Sequence, residues 1–336
     1  VQPEWDELAG ATGNVFATWE WAAAWRRHLQ PRSELTVVLV RRPDGSPRVL
    51  LPLYAAARRP ARVLRFIGAG PADELGPLCA LEDRPLASEL LRGHARQALP
   101  PGGLLLAERL WRTHGIGRHL GGVTVNRSSS PVIPIAGRSF EDYLLTRSRN
   151  FRSQARRHER RLAREHRLEY RLTTDPDQLE RDMDTLIRLH EARWREGESR
   201  AFAGPRAAFH RDFARRALAR GWLRLWTMRL DGEPVAVWYG LRYSGVETYY
   251  QAGRNPLLSR LHIGFVLLCH TVRSAFEDSM EEYRFGLGGE EYKSRFADLD
   301  PGLETVAIPV GSRGRLGVAA LRVAIPLRRR VRRLRA

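Results

Sequence analysis

Lysine is all but missing from this chain. Of 56 basic residues among 336, one is a lysine, Lys293, and the others are arginines. That makes Lys293 a candidate for chemistry closed to arginine: an ammonium is compact and can lose its proton, whereas a guanidinium stays planar and charged. Cysteine is scarce as well. Cys79 and Cys269 are too few and too far apart for a disulfide framework or a cysteine zinc site, so a reducing compartment and no metal are expected. Long apolar runs are absent. The longest apolar stretches, at 261–269 and 316–327, are interrupted by His262 and Arg322, and neither is long enough to span a bilayer. Glu4, Asp6 and Glu7 do not belong in a secretory signal. A cytoplasmic protein is expected, with a peripheral membrane position as an option.

Acid is outnumbered by base, and the formal charge of +18 points to a polyanion: nucleic acid, anionic lipid, or a phosphorylated cofactor or substrate. Two stretches contain no acid at all. One lies between Glu247 and Glu277; the other is the tail from Ser312, with nine arginines. In that tail, apolar Leu316, Val318, Leu321, Val323 and Ile325 are interspersed with basic residues. It reads either as a segment for anionic lipid or RNA or as a disordered basic terminus.

The chain has the length of two domains. Its first third alternates helix and strand signals: a helix at 18–29 carrying Trp21 and Trp25, strands at 34–42 and 48–58 joined by Pro43-Asp44-Gly45-Ser46-Pro47, a strand at 63–69, a helix at 84–99 and a strand at 104–110. The polar, glycine-rich segment 113–134 reads as a linker. Ser139-Phe140-Glu141-Asp142 has the spacing of a capping box. The helix at 148–166 carries seven arginines, Arg152 among them; such a run can grip phosphates or serve as a solvated face. Asp175-Pro176 opens a helix bearing His190 and Trp194 on its apolar stripe, with His190 read as a core residue. Strands at 222–230, 235–243 and 246–253, with two-to-four-residue turns, form an antiparallel meander. An apolar helix at 263–276 must be buried, and a last strand is expected at 303–310.

Tyr283–Phe296 reads as a strand, a glycine turn and a short helix crowded with Glu290, Glu291, Tyr292 and Lys293. Lys293 is either a functional lysine or the surface partner of Glu290 three residues earlier. The glutamates would repel an anion at the glycine turn. The acid-free helix start around Ser259–Gly264, with Arg260 and His262, is the better phosphate site, because a helix N-terminus offers free N–H groups and a positive dipole end. The glutamates suit an amine.

Meander, buried helix, strand, glycine turn and short helix follow the core order of the GCN5-related N-acetyltransferases (GNAT). Residues 140–296 resemble the BioF2-like acetyltransferase domain of the CelD group, related to the Fem aminoacyltransferases. The resemblance rests on Asn150-Phe151-Arg152-Ser153-Gln154-Ala155-Arg156-Arg157, Leu189-His190-Glu191-Ala192-Arg193-Trp194, Gly221-Trp222-Leu223-Arg224-Leu225, Tyr249-Tyr250-Gln251-Ala252-Gly253 and Phe285–Phe296. The helix around Trp19–Trp25 and the loop Asp73–Leu78 are similar to the first half of such proteins.

The resemblance implies an α/β fold of two GNAT-like halves, with mixed, mostly antiparallel sheets flanked by helices. Residues 1–135 would form the first half, 136–311 the acyltransferase half and 312–336 a basic tail. It implies acyl transfer to an amine acceptor from acyl-CoA or, as in Fem relatives, from aminoacyl-tRNA; a third reading is an RNA- or membrane-binding protein without activity. Arg260-Leu261-His262-Ile263-Gly264-Phe265 departs from the acetyltransferase pattern, with its glycine one position late. On this view Glu290 or Glu291 takes the amine proton, Tyr292 donates one, and Lys293 steadies the oxyanion or holds a substrate anion. Gln251, Ser259, Arg260, His262 and Gly264 would hold the donor, and Trp194, Tyr249, Arg295 and Arg152 the substrate.

Overall fold

Turn chemistry and apolar periodicity set most element boundaries where expected. The structure, a computed structural model, describes residues 1–58, 61–193 and 199–322. They form two units, one comprising Val1–Ser130, Leu287–Gly289 and the chain from Asp300 onward, the other Pro131–Gly286 and Glu290–Leu299.

The first unit contains α1 (Gln2–Gly10), α2 (Trp19–His28), β1 (Glu34–Arg41), β2 (Pro47–Arg58), β3 (Ala61–Phe66), β4 (Leu78–Cys79), α3 (Arg84–Ala98), β5 (Leu104–Trp111), α4 (Ile116–Leu120) and β6 (Val123–Ser128). The second contains β7 (Val132–Pro134), α5 (Phe140–Leu145), α6 (Arg149–Glu165), β8 (Leu168–Leu172), α7 (Pro176–Arg193), α8 (Pro205–Ala219), β9 (Leu223–Leu230), β10 (Glu233–Tyr243), β11 (Val246–Arg254), α9 (Ile263–Glu277), β12 (Glu282–Arg284) and α10 (Glu291–Phe296). The chain then returns to the first unit as β13 (Leu303–Pro309).

The two sheets repeat one plan. In the first, the order is β1-β2-β3-β5-β13-β6, with β4 on β2; β1–β3 are an antiparallel meander, and β5 returns parallel to β3 after α3. In the second, the order is β7-β12-β11-β10-β9-β8; β9–β11 are the meander, and β12 returns parallel to β11 after α9. The expected α/β class with two mostly antiparallel sheets flanked by helices is what the structure shows.

Three expectations change. Segment 113–134 is not a linker. It supplies α4, β6 and β7, because left-handed Gly115 and Gly121 bracket one helical turn and Val125 then points into the core of the first sheet. The division expected at 135/136 falls between Ser130 and Pro131. Strand β13, assigned to the second half, lies between β5 and β6 of the first sheet. The tail from 312 starts as a helix over 311–322, whose Val318 and Leu321 pack on Val63, Leu104, Leu106 and Ala307. Residues 323–336 lie outside the described residues. No helix among those described is long and apolar enough to cross a membrane.

Candidate active site

The site is built where β11 leaves β12. Only Val246–Thr248 pair with Glu282–Arg284, so from Tyr249 onward β11 is unpaired on its β12 side. A bulge marks the departure: Gly240 of β10 faces Tyr249 while Tyr239 faces Gln251, leaving Tyr250 as the extra residue. Bulges bend and twist a strand, and this one turns β11 away. Gly240 is required because the Trp238 indole folds over it; an added Cβ would lie 1.8 Å from that ring. The ring stacks against Tyr249 and Tyr283, at 5.8 and 6.1 Å between centroids. The Tyr249 ring is thereby held at the mouth of the opening.

Helix α10 comes to the same place. Phe296 is its anchor, set edge-on against Phe151 of α6 at 4.8 Å and beside Phe265 of α9 at 5.4 Å. A six-residue helix leaves most of its carbonyls without helical partners. Here the Tyr143 hydroxyl and Arg147 both donate to Phe296 O, and Arg147 also donates to Ala297 O. Arg147 and Arg138 in turn bond Asp298.

So fixed, α10 brings Tyr292 and Lys293 inward. The Tyr292 hydroxyl donates to that of Tyr249 at 3.4 Å. Burial, and then Tyr249, hold the Tyr292 phenol far above its ordinary pKa, so it stays protonated. Lys293 is 4% exposed, and its Nζ lies 2.9 Å from Glu290, whose side chain is 55% exposed. The i,i+3 pair read from sequence exists, with its lysine buried and its carboxylate at the surface.

The proposed phosphate site has the required local features. The first turn of α9 contains no acid, and its N-cap His262 makes no side-chain cap bond. His262 is left-handed, with φ 55°, a conformation that costs a non-glycine residue roughly 1 kcal/mol. Arg254, at the end of β11, runs across Gly264: a Cβ there would sit 3.1 Å from its Cδ. Burial, and then the nearby charge of Arg193, lower the Arg254 pKa. Ser259 and Arg260 are exposed there, and the His262 ring rests on His158 of α6 at 4.1 Å. Arg254 is the residue the sequence reading did not assign; its signal was the acid-free stretch.

The glycine turn after β12 is ruled out as a phosphate cradle on different grounds from those expected. The Leu287 and Gly288 amides are already taken by the Asp73 carboxylate and the Ser129 carbonyl, at 3.1 and 3.0 Å.

The other described candidates lie on α6, α7, α10 and β11. Arg152 donates to the carbonyls of Leu145 and Arg147, at 3.4 and 2.7 Å, joining α5 to α6. Arg295 bonds Gln154 and covers Phe151 and Phe265. Glu291 is exposed in the first turn of α10. Gln251 is half-buried on β11. Trp194 lies outside the described residues. His190 is structural, as expected: its Nδ1 donates to Ala252 O at 3.0 Å, leaving Nε2 to accept from Ser199 at 2.7 Å. No group of three potential metal ligands gathers among the described residues.

Comparison with known proteins bears on this arrangement. Residues 149–294 match the acetyltransferase (GNAT) domain family. No curated protein matches the sequence. Among solved structures, FemX superposes with a TM-score of 0.62 at 12% identity, covering 86% of this chain and 87% of that one. L-PGS from Bacillus licheniformis gives 0.59 at 13%, covering 97% and 96%. At such identities the fold is what is shared. Residues 149–294 thus match a GNAT domain, and the chain shares its fold with FemX and L-PGS.

Proposed function

We propose that this protein transfers an acyl group from a coenzyme A thioester to a primary amine of a small molecule. The observation that carries the reading is the parting of β11 from β12 at Tyr249, with the Tyr292 hydroxyl and the Lys293–Glu290 pair beside it. The donor's phosphates would rest on the first turn of α9 and on Arg254, and its arm along the unpaired edge of β11. The amine nitrogen attacks the thioester carbonyl, and Glu290 takes its proton. The Lys293 ammonium steadies the oxyanion. As the carbon–sulfur bond breaks, Tyr292 protonates the thiolate. The test is Arg254→Gln. It should raise the KM for acyl-CoA about tenfold with kcat little changed; an unchanged KM would remove the phosphate site from the start of α9.

A second reading, an aminoacyl-tRNA donor, is favoured by α6. Its buried stripe, Phe151, Ala155, His158 and Leu162, sits inward, and its arginines divide. Arg156, Arg161 and Arg164 pair with Glu141 and Glu165, while Arg149, Arg157 and Arg160 are exposed with no acidic partner among the described residues. That strip adjoins His158 and His262, beyond what one coenzyme A needs, and FemX and L-PGS share the fold over nearly all of the chain. This reading expects RNase-sensitive activity and affinity falling steeply with salt; activity with acyl-CoA alone, indifferent to RNase, would exclude it.

A further inference from the structure

The first unit has a cavity of about 370 Å³ lined by Arg112, Arg118, Arg127, Thr124, Glu304 and the glycines at 115, 117, 121 and 122. Part of its wall is close-packed. Left-handed Gly115 and Gly121 bound α4, and the backbone of α4 and its exit is pressed against β13. A Cβ on Gly117 would fall 2.2 Å from the Glu304 carboxylate, and one on Gly122 would fall 2.6 Å from Val306. Substituting either glycine would push the wall off the strand, so the packing of α4 and its exit on β13 shapes the cavity, to which the exposed Arg112 and Arg118 add their charge.

Arg112 and Arg118 have no acidic partner among the described residues, and Glu304, half-buried in the same lining, pairs with neither of them. Arg127 stands opposite Glu304 in the β6–β13 register and adds a third guanidinium to the lining. Opposite charges that line one cavity without touching are completed by a ligand that carries both signs. The guanidiniums favour a doubly charged oxyanion, which they can hold with bidentate, charge-assisted bonds. A single carboxylate favours an ammonium.

We propose that this cavity binds a small phosphate monoester that also bears an ammonium group, with the phosphate on Arg112 and Arg118, Arg127 beside them, and the ammonium on Glu304. The site belongs to the first unit and is independent of the donor assigned to the second.

Calorimetry with O-phosphoethanolamine, inorganic phosphate and ethanolamine as probes tests it, on the full chain. Wild type should bind O-phosphoethanolamine about tenfold tighter than phosphate and should not bind ethanolamine. Arg112→Gln with Arg118→Gln should weaken both phosphate probes about tenfold or more, and Glu304→Gln should abolish the preference for O-phosphoethanolamine while keeping phosphate binding. Circular dichroism melts of each variant check the fold, and the exposed arginines can be changed without touching the core. No heat from either phosphate probe with wild type, equal binding by the arginine variant, or a preference that survives Glu304→Gln would each overturn the proposal.

Discussion

The Tyr292 hydroxyl lies 3.4 Å from that of Tyr249, at the residue where β11 stops pairing with β12. Both phenols are mostly buried, and the Tyr292 phenol is held protonated by burial and by its neighbour. A donor placed there matters in proportion to how poorly the leaving group departs. Tyr292→Phe is therefore expected to fold normally and to lower kcat about a hundredfold with an alkyl thioester. The loss should be several times smaller with an aryl thioester, whose thiolate needs no proton. Steady-state kinetics with the two donors check this.

Arg147 acts through α10. Its bonds to Phe296 O, Ala297 O and Asp298 hold the helix that carries Lys293. Arg147→Gln is expected to destabilise the protein by about 1–3 kcal/mol, since it strips partners from half-buried carbonyls and a carboxylate, and to lower kcat as well. Urea denaturation and kinetics measured on the same preparation should move together. Lys293→Met, which removes one member of a half-exposed pair, should leave the urea midpoint nearly unchanged.

Gly240→Ala tests the support beneath Tyr249. The added methyl has no room while Trp238 keeps its rotamer, since the indole sits where the Cβ must go. The expected cost is about 1–3 kcal/mol of overpacking, with a changed near-ultraviolet circular dichroism signal from the displaced ring. Normal stability and an unaltered spectrum would show that Trp238 does not depend on this glycine.

Acid should weaken the second unit through His210. The side chain is 1% exposed, beneath Tyr239, Tyr250 and Phe202, and burial, then Arg206, push it down from an ordinary 6.5 to about 3. The depressed value means that the unfolded chain takes up the proton first. The histidine's contribution is whole above its unfolded pKa and is lost as pH falls from about 6.5 toward 3, with a slope of up to about 1.4 kcal/mol per pH unit. His270, lowered to about 4 mainly by burial, adds a slope of the same sign. His210→Phe should flatten the dependence between about pH 6 and 4 relative to wild type. Unfolding free energies at several pH values measure it.

Much of this arrangement is legible in the residues themselves. Asp231-Gly232 and Ser244-Gly245 announce the meander, Ser139 and Asp142 form the capping box as spaced, and the apolar run at 263–276 is the buried helix α9. The position of β13 was not legible, because a strand sequence specifies a buried face and not which sheet it joins. Segment 113–134 looked irregular because its glycines serve a single helical turn and close packing on β13. At the candidate site, Lys293 stood out by residue type, and Tyr292 and Tyr249 through the family resemblance. Arg152 bonds carbonyls at the α5–α6 junction, which a run of arginines does not announce. Arg254 escaped assignment because its role depends on crossing Gly264, ten residues further along the chain.

Donor discharge is the most direct test of the central claim. Wild type and Lys293→Arg are incubated with acyl-CoAs and a panel of primary amines, and free thiol and amide product are followed by mass spectrometry. The account predicts amide formation by wild type and a loss of about a hundred- to a thousandfold in Lys293→Arg at unchanged melting temperature. Full activity in a folded Lys293→Arg enzyme would contradict it.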